Sequence, residues 1–344
     1  MKAFVTGGGG FLGTRIVELL RERGDEVVSY SRSPHPHLEA LGVRCVAGDL
    51  ADARALREAM KGSDTVFHTA AKAGVWGRAA EFERTNVQGT LHVIASALEN
   101  RVRRLVYTSS PSVCFDGKDH VDASNDLPYS KRFLCDYPKS KARAEAYVLN
   151  SNGKSVLTTC ALRPHLIFGP GDPHLLPRLV ARAREGRLAI VGKGTNRVSL
   201  TYVDNAAHAH LDAADRLTPK SAHAGQAYFV AQEEPVVLWD WIGDVLRGVG
   251  APAAKRRVPL PIAYAAGAAA ELTWRATRRA GEPPMTRFVA LQLARTHTYD
   301  LSPARHDFGY DERVGLDEAT GRTIEWLRRA SASPELRRSQ SPVS

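Results

Sequence analysis

The stretch Lys2-Ala3-Phe4-Val5-Thr6-Gly7-Gly8-Gly9-Gly10-Phe11-Leu12-Gly13 decides how the rest of this chain is read. Its first residues have the apolar, β-branched character of a short buried strand. A helical pattern follows the glycines to about Arg23. Strand, glycine turn and helix are the opening of a nucleotide-binding βαβ unit. The spacing Gly7-x-x-Gly10-x-x-Gly13 departs from the usual G-x-G-x-x-G, but the physical demand is the same. Glycines permit a tight turn, let the backbone approach a pyrophosphate, and let helix and strand pack closely. The helix N-terminus then offers free N–H groups and partial positive charge to phosphates. A merely flexible glycine-rich turn is the competing reading, and the position between strand and helix argues against it.

Working outward, strands are expected at 26–31, 43–47, 65–68, 105–108 and 155–162, with helices near 52, over 83–99 and from 137 to about 150. Strands alternating with helices at this spacing predict an α/β fold with a doubly wound parallel sheet of Rossmann type. Regularity falls afterwards. Helices are expected at 175–185, 204–215, 238–248, 262–278 and 315–329, and strands at 199–203 and 228–231. The expected division is a cofactor-binding domain over 1–168 plus about 199–216. A smaller C-terminal substrate-binding α/β region spans 169–198 and 217–330, and a disordered tail spans 331–344. No internal repeat is present.

In such sheets an acid near the end of the second strand holds the ribose 2′-hydroxyl of NAD. Here that strand ends Ser29-Tyr30-Ser31-Arg32, with no acid, and Asp25 and Glu26 lie at its other end. Arg32 is placed to pair with a 2′-phosphate, so NADP(H) is preferred and NAD(H) is the alternative; a solvated arginine beside the loop Pro34 to His37 is the bland reading. Asp49 either accepts from the adenine amino group or caps the helix near Asp52. The small residues Ala70 and Ala71 let a cofactor lie close to the backbone, whereas His68 reads as a structural strand-end residue. Asn86 serves either a water or the helix geometry.

Tyr137-Pro138-Lys139-Ser140-Lys141 opens a helix with proline at its first turn. Tyr137 and Lys141 are four apart and share one face. A fixed ammonium favours the phenolate, so Tyr137 is expected to ionise more easily. Ser110 ends a strand at the sheet edge where ligands of such folds bind. Ser110, Tyr137 and Lys141 could therefore meet over one carbonyl.

Hydrophobic residues make up 43% of the chain and charged residues 24%, a globular balance. The net charge of +10 suits an anionic cofactor or substrate. Part of it lies at Arg328, Arg329, Arg337 and Arg338, and no nucleic-acid module is recognisable, so no nucleic-acid partner is expected. Cys45, Cys114, Cys135 and Cys160 form no C-x-x-C pair, which argues against a zinc site or disulfide scaffold; no metal is expected. A strand beginning at residue 2 leaves no room for a signal peptide, and a cytoplasmic protein is the expectation. No run reaches the roughly 18 apolar residues of a membrane span. The Ala-rich stretch 259–272, followed by Arg275, Arg278 and Arg279, reads as a packed helix, with peripheral membrane contact the lesser alternative.

Several motifs taken together resemble the extended short-chain dehydrogenase/reductase superfamily, in its 3β-hydroxysteroid dehydrogenase branch. They are Thr6 to Gly13, Gly48-Asp49-Leu50, His68-Thr69-Ala70-Ala71, Asn86 to Thr90, Tyr107-Thr108-Ser109-Ser110, Tyr137-x-x-x-Lys141, Arg163-Pro164 and Tyr202-Val203-Asp204-Asn205. Within that branch, Ala71 to Gly77, Arg163 to Asp172, Gly281-Glu282-Pro283-Pro284 and Asp307-Phe308-Gly309-Tyr310 resemble bacterial 2-alkyl-3-oxoalkanoate reductases. The resemblance implies an NAD(P)-dependent oxidoreductase acting on a CH–OH group. Tyr137 is then the proton donor or acceptor, Lys141 its helper and ribose ligand, and Ser110, rather than Ser109, the partner of the substrate oxygen. Gly7, Gly10, Phe11, Leu12, Gly13, Arg32, Asp49, Leu50, Ala70, Ala71, Asn86, Thr108 and Pro164 join Tyr137 and Lys141 around the cofactor. Lys72, Trp76, His165 and Leu175 face the substrate. Val75, Phe168 and Leu176 suit an alkyl chain, and His174 and Arg178 join Lys72 and His165 as candidates to meet a carboxylate.

The implied substrate is a hydrophobic keto or hydroxy compound, and the implied assembly a homodimer. Reduction of a β-keto acid competes with oxidation of a 3β-hydroxysterol that carries a neighbouring carboxylate. A catalytically silent cofactor sensor is a third reading, disfavoured by the intact Tyr137 and Lys141. An epimerase or dehydratase using transient oxidation is weaker still.

Overall fold

The computed structural model describes residues 1–173 and 175–332. At its centre lie β1 (Lys2–Thr6), β2 (Glu26–Ser31), β3 (Arg44–Ala47), β4 (Thr65–His68), β5 (Arg104–Thr108), β6 (Thr158–Pro164) and β7 (Ala227–Val230). They form one seven-stranded sheet in the order β7-β6-β5-β4-β1-β2-β3. Every neighbouring pair is parallel. The order reverses between β1 and β4, and the carboxyl ends there form the crevice in which open α/β sheets bind ligands.

Alternation along the strands separates two cores. Ala3, Val5, Phe67, Val106, Cys160 and Leu162 face one layer, shared with α1 (Phe11–Glu22). Phe4, Val66, Leu105, Tyr107 and Ala161 face the other, with α2 (Gly89–Glu99) and α3 (Asp136–Leu149). Helix α4 (Val203–Arg216) packs with α1 on the first face. A sheet covered on both faces explains why β6 is buried at every position and reads as a nearly unbroken apolar run.

Beyond the main sheet, Val236–Val237, Arg197–Val198, His297–Tyr299 and His120–Ala123 make a second sheet of four short strands. In the same region α5 (Leu260–Thr277) packs on the Arg287–Ala294 helix. The expected strand over 199–203 is divided. Arg197–Val198 joins the small sheet, while Thr201–Tyr202 pairs with Ile167–Phe168.

Four further expectations need correcting. Residues 34–37 are not all loop, because Pro36 starts a short helix, Pro36–Ala40. Strand β6 begins at Thr158 rather than 155, since Ser155 sits in a turn at φ +55°. Strand β7 completes the main sheet, so a second region containing all of 217–330 does not follow the sheet. The last helix, Leu316–Ala332, extends two residues into the expected tail, whose remainder, 333–344, lies outside the described residues.

Candidate active site

The turn after β1 closes tightly. Gly7 adopts φ +69°, and a Cβ there would lie 2.9 Å from the Ala70 backbone. A Cβ on Gly13 would stand 2.0 Å from the Gly7 carbonyl oxygen, so α1 can approach β1 this closely only with glycine. Gly10 precedes α1 with no side-chain cap, and no acid lies in the first turn. The first helical N–H groups, those of Phe11 and Leu12 among them, thus face the crevice without side-chain competition. This cradle fits the pyrophosphate of a dinucleotide.

Arg32, just past β2, is exposed and has no carboxylate partner among the described residues. His35, which the sequence reading passed over, covers the loop: its Nε2 lies 1.9 Å from where a Gly9 Cβ would sit. Asp49 is held by Arg84 at 2.9 Å, and Asp52, not Asp49, caps the next helix. Leu50 is buried beneath this edge.

At the centre of the crevice Tyr137 and Ser110 share a side-chain hydrogen bond. The Ser110 hydroxyl also lies 2.9 Å from that of Ser112. The Ser109 hydroxyl is buried with no hydrogen-bond partner among the described residues. Burial pushes the Tyr137 phenol up to about 12, against the hydrogen bond with Ser110, which pulls it down. The expected easier ionisation is therefore not found, and the reason is where Lys141 points. Its ammonium donates to the Thr108 carbonyl at 2.5 Å and lies 4.1 Å from the centre of the Tyr107 ring. Burial lowers the Lys141 amine to about 7, and Glu145 partly opposes this. The Thr108 hydroxyl is paired with His210 at 2.7 Å.

Asn86 lies in a π-helical turn, Glu83–Gln88. Its Oδ1 accepts from the Lys72 N–H at 2.7 Å, and its Nδ2 donates to the Lys72 carbonyl at 3.1 Å and to the Ser140 hydroxyl at 2.9 Å. It thereby ties the loop after Ala71 to the turn of α3 that carries Lys141. The Asn86 carbonyl accepts from Thr90, and His68 links Thr90 to Thr6. His68 is structural: buried, bonded at both nitrogens, and lowered to about 3 by desolvation and then by Lys141. Sequence reasoning missed Glu145, whose carboxylate pairs with Arg163 through two bonds, 3.0 and 2.6 Å. The available signal was its position four residues beyond Lys141, on the same helix face.

A cleft of about 1020 Å³ is lined by Val75, Trp76 and Phe82, by Leu134 to Asp136, and by Trp274 and Arg275 of α5. The segment Leu134 to Asp136 leads directly into Tyr137. Trp76 thus stands where a substrate wall was expected. Phe168 and Leu176 do not; both are buried in the core, Phe168 against Tyr202 and Trp241. Leu175 is half-buried at the start of its helix, held by Asp172. Pro164 ends β6, buried. The expected carboxylate ligands are engaged elsewhere. Lys72 pairs with Glu81 and Arg178 with Glu282, while His165 is buried against the Ser199 carbonyl at 2.6 Å. His174 lies outside the described residues.

Residues 4–262 match the model of the 3-beta hydroxysteroid dehydrogenase/isomerase family. The chain belongs to this family. Like its members, it is a nicotinamide-dependent oxidoreductase acting on CH–OH groups. It is 46% identical to a 2-alkyl-3-oxoalkanoate reductase of Stenotrophomonas maltophilia, over 97% of this chain and 99% of that one. It is 36% identical to the decarboxylating sterol-4-alpha-carboxylate 3-dehydrogenase of Mus musculus, covering 94% of this chain and 90% of that one. Among solved structures it resembles MoeE5 in complex with UDP-glucose and NAD, with a TM-score of 0.73, 28% identity, and 97% and 100% of the two chains covered. A bound nicotinamide supplies or receives the hydride in this family's chemistry. What the chain's own groups offer is a proton held on Tyr137, a hydroxyl on Ser110 and a buried amine on Lys141.

Proposed function

We propose that this family member reduces the 3-keto group of a hydrophobic 2-alkyl-3-oxoalkanoate, with NADP(H) preferred over NAD(H). The observation that carries the reading is the Tyr137–Ser110 pair at the sheet's carboxyl edge, beside an aromatic cleft whose lining includes Leu134 to Asp136, the residues just before Tyr137. Tyr137, protonated at neutral pH, gives its proton to the carbonyl oxygen, and Ser110 hydrogen-bonds that oxygen as charge develops. Lys141 leaves the Thr108 carbonyl to meet the cofactor's ribose and the tyrosine. Gly7, Gly10, Phe11, Leu12 and Gly13 hold the pyrophosphate, and Arg32 meets the 2′-phosphate. Near-full-length identity to a reductase of this substrate class supports the choice of ketone. The absent acid after β2 supports the choice of cofactor.

The test is kcat/KM across 2-alkyl-3-hydroxy acids of increasing chain length, beside 3β-hydroxysterols, with both cofactors. Each buried methylene contributes about 0.8 kcal/mol, so specificity should rise about fourfold per carbon until the cleft is filled. A flat series or a preference for sterols returns the assignment to the sterol-type reading. Equal NADPH and NADH affinities would remove the role given to Arg32.

A further inference from the structure

The cleft beside Tyr137 holds more positive charge than the chain itself neutralises. Arg78, Arg275, Arg278 and Arg279 line it, and all are exposed. None has a carboxylate partner among the described residues. Most of the acids in the lining are already taken: Glu81 by Lys72, Glu271 by Arg287 and Glu282 by Arg178. The other, Asp136, lies in the first turn of α3, where the helix N–H groups favour a negative charge. The guanidinium groups therefore outnumber the carboxylates left to meet them.

Two of these arginines are held by indoles. Arg275 lies 5.5 Å from the centre of the Trp76 ring, and Arg279 lies 4.6 Å from that of Trp274. A stacked guanidinium loses rotamer freedom but keeps its N–H edge open to an anion. Arg275 stands one turn beyond Glu271 on the same face of α5. Glu271 in turn acts electrostatically on Cys135, two residues before Tyr137. Arg78 follows Trp76 by two residues, so the loop that supplies the indole also supplies a second cation. The rest of the lining includes Val75, Phe82 and Leu134. Apolar walls with a few placed cations suit an apolar molecule with one anionic end.

We propose that Arg275 and Arg78 bind the carboxylate of the substrate and keep it attached while the neighbouring ketone is reduced. The inference rests on the reading of the substrate as a β-keto acid, whose carboxylate stands one carbon from the ketone that meets Tyr137 and Ser110. Lys72, Arg178 and His165, basic side chains expected in this role, are engaged within the chain. The contact has a chemical consequence. A β-keto acid decarboxylates when the bond between its carboxyl and α carbons breaks. The electron pair of that bond forms the enolate of the ketone, carbon dioxide leaves, and the α carbon then takes a proton from water. Negative charge leaves the carboxylate in this step, so guanidinium groups fixed on it favour the intact acid and oppose the loss. Once the ketone has become a hydroxyl, no carbonyl remains to receive the electron pair, and the carboxylate is retained.

The test uses the full chain and two readouts. In titration calorimetry with NADPH present, a long-chain 2-alkyl-3-hydroxyalkanoate, which NADPH cannot reduce, should bind at least about tenfold more tightly than its methyl ester. Arg78→Gln/Arg275→Gln should abolish that preference with an unchanged melting temperature, since both side chains are exposed. Equal binding of acid and ester by the unaltered chain, or an undiminished preference in the variant, overturns the proposal. The second readout follows carbon dioxide released from a 2-alkyl-3-oxoalkanoate held by excess protein with oxidised cofactor, which cannot reduce it. Release should be slower than from the free acid, and the variant should lose this protection. Release at the free rate from the unaltered chain also overturns the proposal. Turnover with NADPH is a separate measurement. A chain that prefers the acid to the ester but leaves the ketone unreduced would contradict the ketone reading and still support the carboxylate site.

Discussion

Lys141 is engaged within the chain: its ammonium donates to the Thr108 carbonyl and rests on the Tyr107 ring. Tyr137, four residues earlier, is half-buried, shares its hydrogen bond with Ser110 and, with its phenol desolvated, keeps its proton. These two side chains divide the work expected of one pair, and their substitutions should separate. Tyr137→Phe removes only the proton-carrying oxygen. It should lower kcat by about 10²–10⁴-fold with cofactor affinity nearly unchanged. On the proposed reading, in which Lys141 moves to meet both the ribose and the tyrosine, Lys141→Met should weaken both turnover and cofactor binding. Stopped-flow turnover with cofactor titration checks this pair, and an active phenylalanine variant would remove Tyr137 from its role. Asn86 acts at one remove, by joining the Lys72 backbone to Ser140. Asn86→Leu should reduce kcat more than it raises KM, and the opposite split would deny it a positioning role.

Among the elements, α3 does most to align the site, and it is fastened to β6 by a buried ion pair. Both Glu145 and Arg163 are almost fully buried and meet through two hydrogen bonds. Glu145→Gln would leave the guanidinium buried without its counter-charge, at a cost of about 3–5 kcal/mol. Urea unfolding should show this loss, and replacing both residues with apolar ones of similar size should recover much of it. An unchanged urea midpoint would mean that the pair does not fasten the helix. At the opposite edge, Gly13→Ala places a methyl 2.0 Å from the Gly7 carbonyl oxygen. The turn must then open, and cofactor binding measured by fluorescence should fall at least tenfold.

The molecule as a whole carries neutral imidazoles in its interior, and this sets its response to acid. Burial lowers His68 to about 3 and His165 and His210 to about 4. Unfolded, each takes a proton near 6.5. Below that pH the unfolded chain binds protons that the folded chain refuses, so stability falls as pH drops from 6.5 toward 4. Each group should cost about 2 kcal/mol at pH 5. Urea midpoints at pH 7 and 5 should differ accordingly, and a flat profile would contradict the burial of these rings. Lys141 has the same sign at the other end of the scale. Its amine lies near 7 folded and 10.5 unfolded, so the penalty of burying it is relieved as pH rises above 7.

The sequence by itself determined the doubly wound sheet, the glycine cradle and the Tyr137–Lys141 face. All three depend on short-range rules: an apolar strand before glycines, proline at a helix start, and a four-residue repeat on one face. It did not determine the ionisation of Tyr137. That depends on burial and on the direction of the Lys141 side chain, which Thr108 and Tyr107, distant in sequence, decide. The same holds for the substrate wall, where Phe168 and Leu176 share the apolar character of Val75 but went to the core. Hydrophobicity states only that a side chain leaves water, and the packing of β6, α4 and α5 decides which surface receives it. Strand β7 escaped assignment to the main sheet for a related reason. It returns to β6 after a long excursion through the second region, and parallel pairing between such distant segments leaves no mark in local sequence.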